Sequence, residues 1–420
     1  MPADTTIKAL LLALTDAPEP AVYVINRLNP ELLCFFVPET MKHHIDEAVQ
    51  PKIHQMPKRW DCIVTPNADD VMTCHQALSR TIHELFRTWE VQAGEVVVDL
   101  TGATPAMAAA LASVSLPWTS RLVMLTDVRP DQEPDDSAVF IEEKQKLWLQ
   151  GNPWDEAAQF ARREACDSFN RGAFRSARVQ FHNLEMRVSG GQKPLYRAFA
   201  DLSDGYGLWD RFQYRPAWEK IKGAVKALDM ASLWGGPPGL KALLPPIKAN
   251  STFLEKLVLD PAEVKELVGL DLLAHAHRRA QAHHDGEGAM MVLVRALEAL
   301  AQRQLFKQYG VKTWDVRPDQ LPQALQETCR TCYLDDVDGK YKLPLQSQFR
   351  TLAGLGDQMG QVFLREWPKM KPLLDAANHA VLGHGFEPIK MERFHQLYDI
   401  VLKLTGVAES SLPKFPTLNL

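Results

Sequence analysis

The sequence predicts an α/β domain with a parallel sheet, followed by an all-helical region. Three observations predict it. From residue 8 to about 130, short apolar runs alternate with amphipathic stretches, and strands that alternate with helices imply a parallel sheet covered on both faces. After about residue 150 the strand signal fades and helical spacing takes over. At 420 residues the chain exceeds what one core usually holds, roughly 250–300 residues, so two or three domains are expected.

Each element has its own signal. Residues 8–14 (KALLLAL) read as a buried first strand, and residues 20–28 show helical spacing at Val22, Ile25 and Leu28. Residues 32–37 (LLCFFV) form the second strand, with a short helical piece near 41–49. The third strand lies in WDCIVT, ending at Thr65. Residues 69–89 follow as a long helix with Val71, Leu78, Ile82, Leu85, Phe86 and Trp89 on one face. Asn67, Asp69 and Asp70 sit where a side-chain oxygen would cap its free N–H groups. EVVVDL (95–100) is the fourth strand. A Thr-Gly turn leads to a small-residue helix at 105–114, and RLVML (121–125) is the fifth strand. The result is a Rossmann-like layer over residues 1–150.

Residues 155–230 read as helices, with the spacing of one helical hairpin over 168–188 and no repeat array. The Pro/Gly-dense stretch 235–246 marks a turn or insertion. Helical spacing resumes over 253–309, strongest in MMVLVRALEALAQRQL (290–305), and two more helices are expected near 350–382 and 391–404. The Pro-rich tail ESSLPKFPTLNL reads as a surface arm. The expected domains are 1–150, a helical connector at 151–265, and 266–420.

Composition narrows the function. Hydrophobic residues make up 46% and charged residues 24%, ordinary for a globular chain. A net charge of −5 argues against coating nucleic acid with a broad basic surface, though a local basic cleft is compatible with it. The six scattered cysteines suit a reducing compartment, and no signal peptide or membrane-length apolar run is legible, so a cytoplasmic location is expected.

Two stretches carry chemistry. Ligands of open parallel sheets bind outside the carboxyl ends of the strands. There the chain places Thr15 and Asp16 after strand one, and Asp99-Leu-Thr101-Gly102-Ala103-Thr104-Pro105-Ala-Met107 after strand four. Thr101 and Thr104 bring hydroxyls, Gly102 permits close backbone approach, and Pro105 suits the first helical position. The free N–H groups of that helix start favour a phosphate. A merely structural capped helix start remains open on these residues alone. The second stretch is Asp375 to Phe386. His384 is expected beside a helix end terminated by Gly385 in a positive-φ conformation, with Asn378 near the same face; an imidazole is the usual proton carrier near neutral pH. A structural role for the histidine also remains open, and His379 is assigned to solvent or packing.

The segment VVVDLTGATPAMAAAL resembles the Asp-x-Thr-Gly-Gly-Thr-Lys-x-Met signature of CARF domains, and ANHAVLGHGF resembles the HEPN ribonuclease signature of Arg, often followed by Asn, then His after four to six residues. The helix at 290–305 is similar to the helix that opens the HEPN effector of one CARF-bearing family. The chain thus resembles the CARF–HEPN ribonucleases of type III CRISPR defence. The resemblance implies a homodimer that binds a cyclic oligoadenylate at Thr15, Asp16, Thr101, Gly102, Ala103, Thr104, Pro105 and Met107. It implies allosteric activation of single-stranded RNA cleavage, with His384 as the proton-transfer residue and Asn378 beside it, and with neither metal nor cofactor required. Three departures stand out. Ala103 replaces a glycine, Pro105 replaces a lysine, and Ala377 stands where the HEPN arginine belongs. Losing that arginine's stabilisation of the scissile phosphate would weaken or inactivate cleavage. A binding-only regulator, or a ring nuclease in which Thr101 or Thr104 helps cut the activator, are the alternatives. Arg295 either pairs with Glu298 or lines the RNA cleft near His384.

Other signals are set aside. Cys329-Arg-Thr-Cys332 is a lone CxxC, His275, His277, His283 and His284 read as a solvated helix face, and Asp336-Val-Asp338-Gly339 reads as a turn without the closing glutamate of a calcium loop.

Overall fold

The computed structural model describes residues 7–92, 94–127, 139–142, 145–149, 152–233, 236–237 and 239–420. The chain divides into two compact units, residues 1–165 with 179–200 and residues 166–178 with 201–420.

The first unit contains β1 (Ala9–Ala13), α1 (Pro18–Leu28), β2 (Leu32–Pro38), short 3-10 and π turns between 39 and 52, β3 (Arg59–Thr65), α2 (Val71–Thr88), β4 (Val96–Asp99), α3 (Pro105–Val114), β5 (Thr119–Asp127), β6 (Val139–Glu142) and β7 (Gln145–Leu149). The sheet order is β3-β2-β1-β4-β5-β7-β6. The first five strands are parallel, as the alternation of strand and helix requires. Their apolar runs bury both faces. Leu10, Leu12, Phe35 and Val37 pack with α1, while Leu11, Ala13, Phe36 and Val98 pack with α2 and α3. Asp70 caps α2 by accepting the Thr73 N–H. The sheet is wider than five strands. An antiparallel pair, β7 on β5 and β6 on β7, extends its edge. Two residues separate β6 from β7 in the chain, the length of a tight hairpin connection.

The helices are α4 (Pro153–Asn170), α5 (Phe174–Arg187), α6 (Lys193–Trp209), α7 (Tyr214–Leu233), α8 (Leu240–Leu259), α9 (Val268–Ala282), α10 (Gly286–Tyr309), α11 (Gln323–Cys332), α12 (Leu345–Gly354), α13 (Gln358–Asn378) and α14 (Met391–Thr405). In the second unit α10 is the central post. Met290, Leu293, Ala296, Leu297, Leu300 and Ala301 are all buried in a core shared with α9, α12, α13 and α14. Asp285 caps it, accepting the Gly288 N–H at 2.8 Å, and Gly310 ends it at φ 67°.

Four expectations need correction here. The helix expected over 350–382 is two helices. Gly356 adopts φ 80°, Asp357 then restarts the chain by accepting the Met359 N–H at 2.8 Å, and Gly360 lies flat against the Ala353 backbone. The Pro/Gly-dense stretch 235–246 gives way to helix at Leu240, with Pro245 and Pro246 inside α8. His275 is not on a solvated face. It is 1% exposed, its Nδ1 3.3 Å from Asp210 and its ring against Phe212. The tail is not a free arm. Leu412, Pro413, Pro416 and Leu418 are buried, and the Asn170 amide clamps the Leu418 backbone with bonds of 2.7 and 3.0 Å. Asn250 donates to Lys414 O at 2.8 Å, and Phe415 joins Phe174, Tyr206 and Trp209 under the Arg278 guanidinium. The apolar tail residues Leu412, Pro413, Phe415, Pro416 and Leu418 supply that anchorage.

Candidate functional site

In the first unit, the candidate ligand site lies at the carboxyl ends of β1 and β4. These strands are hydrogen-bonded neighbours, and the connections leave the sheet in opposite directions from them. Thr15 Oγ1 donates to Gly102 O at 2.9 Å, which joins the two loops. A Cβ on Gly102 would stand 2.7 Å from Ala13 O, so only glycine lets the β4 loop lie this close to β1. Thr104 is the N-cap of α3: its Oγ1 accepts the Met107 N–H at 3.2 Å and donates to Ala68 O. Pro105 occupies the first helical position.

Asp99 organises this loop from beneath. It is fully buried, and its Oδ1 accepts both the Thr101 N–H at 3.1 Å and the Thr101 hydroxyl at 2.5 Å. Thr101 Oγ1 in turn accepts the Leu125 N–H at 2.8 Å. Burial pushes the Asp99 carboxyl up to about 6, against the lowering pull of the Thr101 bonds. Asp99 Oδ2 has no hydrogen-bond partner among the described residues. The Thr101 hydroxyl is therefore committed to the scaffold. What the loop offers outward is backbone, since the N–H groups of Gly102 and Thr104 have no backbone partner among the described residues. Unpartnered N–H groups at a helix start suit an anionic oxygen.

In the second unit, α13 ends at Asn378, and the chain folds back under its last turn. His384 N–H donates to Asn378 O at 2.7 Å, Gly385 N–H to Ala380 O at 3.1 Å, and Glu387 N–H to His379 O at 3.0 Å. His384 thus sits in a turn just beyond the helix end. The terminating residue is His379 at φ −84°, so the expected positive-φ role of Gly385 does not arise. Gly385 is needed because a side chain there would strike the His379 backbone. Ala377 is 2% exposed, whereas Asn378, His379 and His384 are exposed. His379 Nδ1 bonds Asp375 O at 2.7 Å. Around His384 the surface is apolar: Val381, Leu382 and Phe386 are exposed, the last by 93%.

Comparison with known proteins matches residues 263–408 to the Csm6 HEPN domain and residues 158–254 to the Csm6 6H domain, together more than half of the chain. The chain belongs to the Csm6 family. Its fold is similar to Enterococcus italicus Csm6 bound to cyclic hexa-2'-fluoro-hexa-dAMP, with a TM-score of 0.57 at 11% identity over 96% of each chain. A much weaker likeness, with a TM-score of 0.24 and 11% identity, is to Can2 from Sulfobacillus thermosulfidooxidans in complex with cyclic tetra-adenylate, over 50% of this chain and 68% of that one. No curated protein matches the sequence. HEPN domains are as a family ribonucleases, so the Csm6 assignment places the chain among CARF–HEPN effectors.

The structure also places three further expected site residues. Arg295 Nη1 donates to Glu298 at 3.2 Å and its Nη2 to Gln302 at 3.3 Å. It lies eight residues from Glu287, about 12 Å along α10, and its described bonds are those of a surface pair. The Met107 side chain is fully buried against the sheet. Asp16 is exposed beside Thr15. Two residues went unnoticed in the sequence. His44 Nδ1 lies 3.3 Å from Thr15 O, and Glu287 Oε1 accepts the Leu382 N–H at 2.6 Å. The strand order could have found His44, because β2 is the neighbour of β1 and its following loop opens at the same edge. No sequence signal points to Glu287. Among the described residues, no helix is long and apolar enough to cross a membrane.

Proposed function

We propose that this Csm6 chain is a cyclic-oligoadenylate-activated, metal-independent endoribonuclease for single-stranded RNA in type III CRISPR defence, weakened at the catalytic step by Ala377. The observation that carries the reading is the fold-back after α13, in a segment matched to the Csm6 HEPN domain, which sets the His384 N–H on Asn378 O. His384, exposed at the helix end, takes up or releases the proton as the RNA 2′-hydroxyl attacks the adjacent phosphate. Asn378, exposed beside it, offers a neutral amide to the phosphate. The charge that builds on the phosphoryl oxygens lacks its cation, because residue 377 is alanine.

The activator binds at the β1 and β4 loops in the cytoplasmic homodimer, through backbone N–H groups of Gly102 and Thr104, while the Thr15 hydroxyl, its proton donated to Gly102 O, is left to accept from the ring's ribose or base. Pro105 supplies no charge there. Asp16, Ala103 and His44 border the ring's path. Ligand binding must favour one arrangement of the nuclease pair over another for activation to follow. The exposed Val381, Leu382 and Phe386 suit a partner's equivalent loop, which would bring two His384 side chains to one composite cleft.

The test is Ala377→Arg in the full chain, with single-stranded RNA, cyclic oligoadenylate and a metal chelator. Restoring the cation is expected to raise cleavage about 100- to 1,000-fold. Position 377 is buried, so the arginine stem must thread out past the loop. Rescue of the unmutated chain by free guanidinium ion is therefore a parallel measurement. No gain from either would remove the ribonuclease reading and leave the binding-only regulator, which the alanine itself favours. Linear products from activator alone would instead indicate a ring nuclease.

A further inference from the structure

The loop that carries His384 is shaped mostly by its own bonds. Gly383 N–H donates to Ala380 O at 2.9 Å, and the His384 and Gly385 N–H groups also bond back to the α13 end. Such bonds tie the loop back to the helix it leaves, but not to the neighbouring helices. The side chains of Val381 and Leu382 are exposed, so packing does not anchor its tip. Among the described residues, one bond reaches the loop from another helix: the Leu382 N–H donates to Glu287 Oε1 at 2.6 Å, across 95 residues of chain.

Glu287 stands on firm ground. It is in the first turn of α10, where the helix dipole favours a carboxylate. That turn is held by the Asp285 cap and by the ion pair of Arg279 with Asp285. Gly286 brings it close to the chain that leaves the loop, since a Cβ there would lie 3.5 Å from Ile389 O and from Met391. A carboxylate accepting a backbone N–H at 2.6 Å is a charge-assisted bond, about twice as strong as a neutral one. We infer that Glu287 is a positioning residue, whose carboxylate ties the loop tip to α10 and so fixes where His384 is presented. The inference rests on the proposed role of His384 only for its catalytic consequence; the tether itself is a property of the fold.

The experiment uses the full chain carrying Glu287→Ala or Glu287→Gln, each with and without Ala377→Arg. Hydrogen exchange over residues 380–386 is the first readout. Glu287→Ala should speed exchange at Leu382 about tenfold, while Glu287→Gln, which keeps an accepting oxygen, should recover most of the protection. Melting temperature should barely move. In the Ala377→Arg background, Glu287→Ala should lower kcat about tenfold with KM unchanged, and Glu287→Gln should restore it. Unchanged exchange at Leu382 would overturn the tether. So would a fall in melting temperature that accounts for the lost turnover, since Glu287 would then merely support α10. If Ala377→Arg itself cuts no RNA, the ribonuclease reading fails while the exchange measurement still decides the tether.

Discussion

The loop after β4 and the loop after α13 are both built by backbone hydrogen bonds at the end of a regular element, yet they are held in opposite ways. The β4 loop is locked from below and from the side. Asp99, Thr101 and Leu125 form a chain of bonds under it, Thr15 and Gly102 join it to β1, and Thr104 closes the start of α3. The α13 loop is a compact fold-back with an exposed rim and, among the described residues, one hydrogen bond to a neighbouring helix. Under the proposed function the contrast suits different work for the two. A cradle that binds by backbone N–H groups must be rigid before the ligand arrives, because disorder there would be paid out of affinity. A nuclease loop that answers to a distant ligand must be able to occupy more than one arrangement.

The sharpest way to break this contrast is at Asp99. Its carboxyl is fully buried and raised from 3.8 to about 6. The unfolded chain therefore releases this proton first. The stability contributed by the protonated group is fully present below about pH 4 and is lost as pH rises through about 6, a change of about 3 kcal/mol. Asp99→Asn cannot ionise. Between pH 4 and pH 7 the unmutated protein should lose about 3 kcal/mol relative to the variant, measured by urea unfolding followed by a probe in the first unit. Parallel curves for the two proteins would mean that the β4 loop is not braced by a strained carboxyl.

A smaller effect is expected at Gly102. Valine there would press a branched side chain onto Ala13 O and move the loop off β1. The cost of such overpacking is about 2 kcal/mol, or roughly 30-fold in affinity for a cyclic oligoadenylate if the cradle must sit where it does. Titration calorimetry with the tetra- and hexa-adenylate rings reads it directly. An affinity within threefold of the unmutated chain would show that the ligand does not use this close approach.

What the sequence makes legible follows the same division. The buried strands β1, β2 and β4 are short apolar runs with nothing else they could be, and Thr104-Pro105 announces a capped helix start by local chemistry alone. Local signals also exposed the His384 motif. They carried the helix on to about residue 382, however, because only three-dimensional crowding, with Gly383 and Gly385 pressed onto the α13 end, ends it at Asn378. The break at Gly356, the buried His275 and the docked tail were missed for a related reason. Each is decided by what packs against it: Gly360 on Ala353, Asp210 beside His275, and the Asn170 amide on Leu418. Arg295 is the converse case, a residue whose i+3 partner Glu298 was visible and whose bonds in the structure are those of that local pairing. Glu287 lay beyond reach because its contact joins segments 95 residues apart, whereas His44 needed only the strand order that sets the loop after β2 beside the end of β1.

The central claim is that an anionic ring gripped at the β4 loop is felt at His384. The direct measurement is hydrogen exchange on the full chain, with and without cyclic oligoadenylate. Slower exchange is expected at residues 101–107, together with altered exchange at residues 380–386. Protection at 101–107 with no change at 380–386 would contradict the claim, and so would the absence of any protection with rings of every size tried.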